Sequence, residues 1–265
     1  MKQVIQIRCK NNKKSQKVEI GSTLFDIFSA FGLQMEYGPV SCKVNNKVEG
    51  LHYRVYNNKD VKFLDMTSPS GSRAYTRTLF FVLCKAVQDL YPAHDVIIDI
   101  PVSNGFYVDV RFGRPATDED VDKIRQRMQE IIDAKMPIRR YMVPTEEAIA
   151  LFEEKGDVEK VKLLKTSGSI YTTYYKIGEY VDFYYGTLLT NTSELYLFGL
   201  EKYYDGMLLR IPSVKDPSVL GELTKQDKMF EIFKEHHRWQ DILGIRTVGD
   251  FNQAIDAGHA TDIIN

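Results

Sequence analysis

The stretch Leu79–Val110, LFFVLCKAVQDLYPAHDVIIDIPVSNGFYVDV, decides how this chain is read. Leu79, Leu83, Val87 and Leu90 recur at helical spacing in a run that starts near Arg77, and Pro92 ends it. Val96, Ile97 and Ile98 follow as a β-branched run. Beyond Pro101 and Asn104-Gly105, Phe106, Val108 and Val110 alternate with Tyr107 and Asp109. The unit predicts a helix laid on a sheet, with a strand that is interrupted and then resumes.

Working outward, residues 1–66 predict a small domain of their own. Val4, Ile5 and Ile7 make one strand and Val18 and Ile20 a second, with the polar CKNNKKSQ as the turn. A helix follows, with Ser22 or Thr23 as N-cap, an apolar stripe of Leu24, Phe25, Ile27, Phe28 and Phe31, and Gly32 at C′. Val40 to Val44, the turn Asn45-Asn46 and Val61 to Leu64 supply further strands, which is a β-grasp, ubiquitin-like plan. Residues 67–73, TSPSGSR, read as a linker.

Residues 74–222 predict a larger α+β domain, so the fold class is α+β in two parts. A helix from Asp118 to Ala134 is capped by Thr117; a second, from Glu146 to Lys155, by Thr145; a short third begins after Asp157. Tyrosines and phenylalanines crowd residues 168–211 in alternating patterns that predict strands. Residues 223–265 form a helical tail, with Phe230, Phe233 and Trp239 on an amphipathic helix from Thr224 to Trp239. Because Ile263-Ile264-Asn265 stops inside an apolar pattern, the expectation is a fragment of a longer chain with a missing C-terminal domain.

A net charge of −1 on 265 residues removes the simplest argument for nucleic-acid binding, although Lys10, Lys13, Lys14, Lys17, Lys43, Lys47 and Arg54 can face phosphates locally. The three cysteines are unpaired by spacing and suit a cytoplasmic protein. No apolar run approaches the roughly 18 residues of a membrane helix, so no membrane partner is expected. The five histidines contain no pair at helical i, i+4 spacing and read as surface residues, which leaves no metal site. Cys84 lies among apolar helix positions without a base, and reads as an inert thiol. No G-x-x-x-x-G-K-S/T loop occurs. No catalytic residue is therefore assigned.

"LYP", a β-run and "NGFYVDV" together resemble the opening of the second additional domain of threonyl-tRNA synthetases, an editing domain shared with alanyl-tRNA synthetases. That family's helix begins with His-x-x-x-His, and a later Cys-x-x-x-His completes a zinc-like site. Counting back from Leu90-Tyr91-Pro92 places the two histidine positions on Arg77 and Phe81; "YVDFYYGTL" places the Cys and last His on Tyr184 and Leu188. All four ligands are replaced. The N-terminal domain resembles the TGS domain that opens these synthetases, and that module, the ligand-less editing-like domain and the tail "LGIRTVGDFNQAI" together resemble the N-terminal half of bacterial uridine kinase-like proteins.

These resemblances imply a non-catalytic accessory region of a nucleoside kinase-like protein, with ATP and Mg belonging only to the missing kinase domain. The ligand expected is a nucleotide or tRNA-like molecule, held by Arg73, Arg77, Tyr107, Asp109, Tyr180, Asp182 and Tyr184. The alternative is an editing hydrolase acting on mischarged tRNA. A third reading is a dimerising arm built on Phe230, Phe233 and Trp239.

Overall fold

The structure is a computed structural model that describes residues 3–223 together with Glu231 and Glu235. Glu231 and Glu235 are helical. The rest of the expected helix from Thr224 to Trp239 and the tail beyond it lie outside the described residues. The described chain divides into two compact units, residues 3–140 with 175–223 and residues 141–174.

In the first unit, β1 (Val4–Cys9) and β2 (Lys14–Glu19) form an antiparallel hairpin in which Ile5 pairs with Val18 and Ile7 with Gln16. Alternation along β1 buries Ile5, Ile7 and Cys9 and exposes the residues between them. Helix α1 (Leu24–Ala30) starts at Thr23, whose hydroxyl accepts from the Asp26 amide while the Asp26 carboxylate accepts from the Thr23 amide. This reciprocal capping box fixes which of the two expected caps is used. Gly32 takes φ +58° just beyond the helix, as a C′ residue does. β3 (Ser41–Val44) and β4 (Lys47–Glu49) turn through Asn45-Asn46, both at positive φ, and β5 (Lys59–Leu64) completes a sheet in the order β2-β1-β5-β3-β4. β1 and β5 are parallel and the other pairs antiparallel, the β-grasp order.

The stretch expected to be a linker is mostly helix. α2 (Pro69–Leu90) begins two residues after Thr67, with Ser68 as N-cap and Pro69 at its first position. Gly71, which suggested flexibility in the sequence, is buried: a Cβ there would lie 1.8 Å from the carbonyl oxygen of Asp65, so the helix and the end of the β-grasp domain touch where only glycine fits. Ala74, Tyr75, Leu79, Val82, Leu83, Ala86 and Val87 are all buried.

The interrupted strand is in fact two: β6 (Val96–Val102), with a register shift between Ile98 and Pro101, and a following strand that pairs with it antiparallel. Pro101 is tolerated because β6 is the edge of a four-stranded sheet in the order β11-β12-β7-β6. Ser103 and Asn104, both at positive φ, turn the chain into β7 (Gly105–Val110). α3 (Asp118–Asp133), capped by Thr117 in a second capping box with Asp120, turns Val121, Ile124, Met128 and Ile131 into the core formed by α2 and this sheet. β11 (Gly199–Tyr203) and β12 (Gly206–Arg210) close it.

β8 (Arg139–Pro144), β9 (Tyr171–Ile177) and β10 (Tyr180–Phe183) form a three-stranded sheet in the order β10-β9-β8. Within the second unit, α4 (Thr145–Glu154) and α5 (Val158–Thr166) pack together. Thr145 is not the cap expected of it: it is the first helical residue after Pro144, and its hydroxyl pairs with that of Thr172 at 2.9 Å. Among the described residues, no helix is long and apolar enough to cross a membrane.

Candidate functional site

The positions where the resembled family keeps its metal ligands converge. α2 presents Arg77 and, one turn on, Phe81; the loop after β10 brings Tyr184, Gly186 and Leu188 against them. The Phe81 ring lies 5.1 Å from that of Tyr180 and meets Tyr184 edge-on at 5.9 Å. Phe81 and Leu188 are fully buried in one apolar cluster. Two hydrogen bonds tie the loop down. Leu189 N–H donates to the Thr78 hydroxyl at 3.0 Å, and the Tyr175 hydroxyl donates to the Gly186 carbonyl at 2.9 Å.

These residues do not fit a metal ion. An arginine, a phenol and two hydrocarbons supply no imidazole or thiolate, and among the described residues no three His, Cys, Asp or Glu side chains group as ligands. Phe81 and Leu188 are fully buried, while Arg77 and Tyr184 stay partly exposed.

The Arg77 guanidinium lies against the Gly186 backbone, where a Cβ would sit 2.6 Å from its Cζ and Nη1. It is half-buried, and burial, with repulsion from Arg73, draws its pKa below the usual arginine value, against a smaller opposing effect from Tyr175. No carboxylate forms an ion pair with Arg77 among the described residues. Arg73, one turn earlier and exposed, contacts only the Ser70 hydroxyl by hydrogen bond, at 3.2 Å. Two neighbouring cations without an acidic partner make a site for an anion with several oxygens.

Beside the tyrosines sits a buried acid. Asp182 is 7% exposed and accepts from the Tyr180 hydroxyl at 3.1 Å and the Phe183 amide at 2.7 Å. Burial and then the Asp182 and Cys84 side chains push the phenols of Tyr180 and Tyr184 well above the ordinary range. Both remain neutral, so they offer hydrogen bonds rather than charge.

Five of the seven expected ligand-binding residues therefore share one neighbourhood: Arg73, Arg77, Tyr180, Asp182 and Tyr184. Tyr107 and Asp109 do not join them. On β7, Phe106 points to α2 and meets Phe80 at 4.9 Å, so Tyr107 and Asp109 take the opposite face. There Tyr107 packs edge-on to Tyr203 at 6.4 Å, and Asp109 pairs with Arg111 at 3.3 Å. His52 is not a plain surface residue either. Its Nε2 lies 2.5 Å from the Ile138 carbonyl, and its Nδ1 is buried without a partner. Among the expected phosphate-facing cations, Lys10 pairs with Asp60, Lys47 with Glu49, and Arg54 donates to the Gly21 carbonyl.

Comparison with known proteins agrees with the geometry. A threonine–tRNA ligase of Clostridium kluyveri is 31% identical over 191 residues, covering 71% of this chain and 30% of the relative. That of Syntrophotalea carbinolica is 31% identical over 224 residues, covering 80% of this chain and 35% of the relative. That of Marinobacter nauticus is 28% identical over 181 residues, 68% of this chain and 28% of the relative. The chain carries a threonyl-tRNA synthetase-like region. It spans about three tenths of the length of these relatives. No family model matches it.

Within this synthetase-like region, sequence reasoning missed three contributors. Gly186 and Tyr175 set the seat of Arg77, and Cys84 is half-exposed and close enough to the Tyr180 and Tyr184 phenols to affect their ionisation. Cys84 could have been found by extending the Arg77, Phe81 spacing by one further turn along α2. A partner across space left no such trace for Gly186.

Proposed function

We propose that the synthetase-like region is a tRNA-recognition element that binds a phosphate-bearing acceptor end at the Arg77 corner, without metal-dependent chemistry. The observation that carries this reading is a half-buried guanidinium with no carboxylate partner among the described residues, seated against Gly186 and near a second arginine. A desolvated cation of this kind is stabilised by a phosphate or carboxylate brought to it, while Tyr184 and Tyr180 provide neutral hydrogen-bonding rings. The similarity to threonine–tRNA ligases supports tRNA over a free nucleotide as the ligand class.

Fluorescence anisotropy with a labelled tRNA acceptor minihelix tests it. Wild-type protein binds with an affinity that falls as salt rises, and Arg77→Ala weakens binding by about ten-fold or more, the worth of a charge-assisted hydrogen bond. Gly186→Ala, which displaces the guanidinium, weakens it in the same direction while the far-UV spectrum stays unchanged. Unchanged affinity in both folded variants sinks the reading.

The second reading, an editing hydrolase, is favoured by the grouping of Asp182, Tyr180 and Cys84 around Tyr184. It predicts deacylation of seryl-tRNA above the buffer rate, lost in Asp182→Asn. Service to an attached nucleoside kinase rests on the order of a TGS-like module, a ligand-less editing-like domain and the tail sequence LGIRTVGDFNQAI, and a kinase assay on the natural full-length protein tests it.

A further inference from the structure

α2 has a second functional-looking side. Tyr75, two residues before Arg77 and so on the far side of the helix, is fully buried and holds a cleft wall in place. Its hydroxyl accepts from the amides of Tyr196 and Leu197, at 3.0 and 2.9 Å, and donates to the Leu197 carbonyl. Its ring lies 5.4 Å from that of Tyr196, which stacks in turn on Tyr37 at 5.7 Å with the planes 29° apart. The two stacked tyrosines border a cavity of about 680 Å³ between the turn before β3 and the segment before β11. Such a volume is in the range of small-molecule sites.

The lining has a consistent chemistry. Phe25, 45% exposed, and Leu197 supply apolar surface, Tyr37 and Tyr196 supply ring faces, and Glu36 and Glu194 are the ionisable carboxylates; no lining residue is basic. Burial, then the charge of Glu36 and a hydrogen bond to it, and then the carboxylates of Asp216 and Asp65 raise the Tyr37 phenol above its ordinary value. Glu194 accepts from the Thr190 amide at 3.1 Å and from the Thr190 hydroxyl, yet no Lys, Arg or His pairs with it among the described residues. A mostly buried, hydrogen-bonded acid at the edge of an aromatic cavity, with no cation from the described residues beside it, is the mirror image of the Arg77 corner.

We propose that this cleft binds a small organic cation, an alkyl- or arylguanidinium or a quaternary ammonium carried on an apolar body. The cation sits against the Tyr196 ring, which is 42% exposed, with Glu194 and Glu36 in the same lining, and the apolar body lies on Phe25 and Leu197. The tyrosine faces and the carboxylates attract the same charge, so they act together rather than compete. The wall is preorganised because the Tyr75 hydroxyl already fixes the backbone of Tyr196 and Leu197, leaving little ordering for the ligand to bring about. A phosphate-bearing ligand is repelled here for the reason that it is attracted at Arg77. The two sites are therefore predicted to take different molecules.

Calorimetry on the full chain with phenylguanidinium and its neutral isostere phenylurea tests the proposal, with NMR shifts of the tyrosine rings locating the site. Phenylguanidinium is expected to bind with a dissociation constant of about 1 mM or below, and about ten-fold more tightly than phenylurea. Glu194→Gln and Tyr196→Ala each weaken the cation by about ten-fold without changing phenylurea binding in the Gln variant. Because Glu194 also holds Thr190, Glu36→Gln serves as a second charge-neutral variant that leaves that contact intact. Equal affinity for the two probes, no binding of the cation at about ten times the expected constant, or undiminished binding in both glutamine variants overturns the proposal. None of these residues belongs to the Arg77 corner, so failure here leaves the tRNA reading standing, and the converse holds.

Discussion

Tyr75→Phe removes one oxygen from a fully buried side chain and should cost far more than its size suggests. The hydroxyl makes three hydrogen bonds, two accepted from backbone amides and one donated to a carbonyl, and phenylalanine makes none. Stranding a buried backbone group costs about 1 to 3 kcal/mol. The amides belong to Tyr196, which is 42% exposed, and to half-buried Leu197, so water replaces part of what is lost. Taking the low end for each group gives about 2 to 3 kcal/mol. In a unit of this size that is a fall in the thermal midpoint of roughly 4 to 12 °C. Urea unfolding followed by far-UV circular dichroism gives the stability change, and hydrogen exchange gives its location: the Tyr196 and Leu197 amides should lose protection before those of α2. Tyr171→Phe, at a ring 62% exposed on another strand, is the control and should shift stability by less than about 0.5 kcal/mol. A change in Tyr75→Phe as small as the control, with both amides still protected, would refute the claim that this hydroxyl organises the cleft wall.

Three further perturbations probe other joints of the fold. Asp120 is held below the usual carboxylate range by Arg114 first and by the Thr117 hydrogen bonds besides, so its contribution is present above pH 3.8 and is lost as the pH falls through the depressed folded value. Asp120→Ala should cost about 2 kcal/mol at neutral pH, mostly cap loss because Arg114 is half exposed, and urea midpoints of wild type and variant should draw together in acid. His52 is pulled below its ordinary 6.5 by burial, the Ile138 carbonyl opposing and Arg140 adding to the effect, so the folded state keeps it neutral. Its contribution is full above pH 6.5 and is lost as the pH falls below that value toward the folded one; subtracting the pH profile of His52→Phe isolates it from Glu194, whose raised pKa has the opposite sign. Gly71→Ala should cost about 3 kcal/mol or more by driving a methyl into the Asp65 carbonyl, whereas Ser70→Ala next to it should be nearly neutral, and comparable urea midpoints for the two would show that the contact yields freely.

What the sequence reveals and hides here follows from the range of each signal. Strand alternation and capping are local, so Ile5, Ile7 and Cys9 turning inward and Thr23 and Thr117 closing their boxes with an acid three residues on are readable from the string. Composition misleads where small residues serve contact rather than flexibility. The Ser, Pro and Gly of TSPSGSR look like a linker, yet Ser68 and Pro69 start a helix, and Gly71 is small because a carbonyl from the preceding strand occupies the space its side chain would need. Thr145 shows the same limit, since its hydroxyl is taken by Thr172, 27 residues later.

The candidate site divides along the same line. The family resemblance, counted back from Leu90-Tyr91-Pro92, marks Arg77 and Phe81, and its match to YVDFYYGTL marks Tyr184 and Leu188; the fold joins the two segments. Tyr107 and Asp109 were drawn in by their nearness to a motif, although the alternation that identifies β7 as a strand already sends them to the face opposite Phe106, Val108 and Val110. Period-two geometry should have outweighed proximity in the chain. The arginine seat depends on Gly186, a residue whose meaning exists only across space, and the acidic aromatic cleft depends on Tyr37 meeting Tyr196 across 158 intervening residues. A cationic corner and an anionic cleft on opposite sides of one helix are thus separable by mutation: reversing charge at Glu194 should leave acceptor-minihelix binding unchanged, and Arg77→Ala should leave phenylguanidinium binding unchanged. Loss of both ligands from either single variant would mean that α2 couples the two sides, and the picture of two independent sites would have to be abandoned.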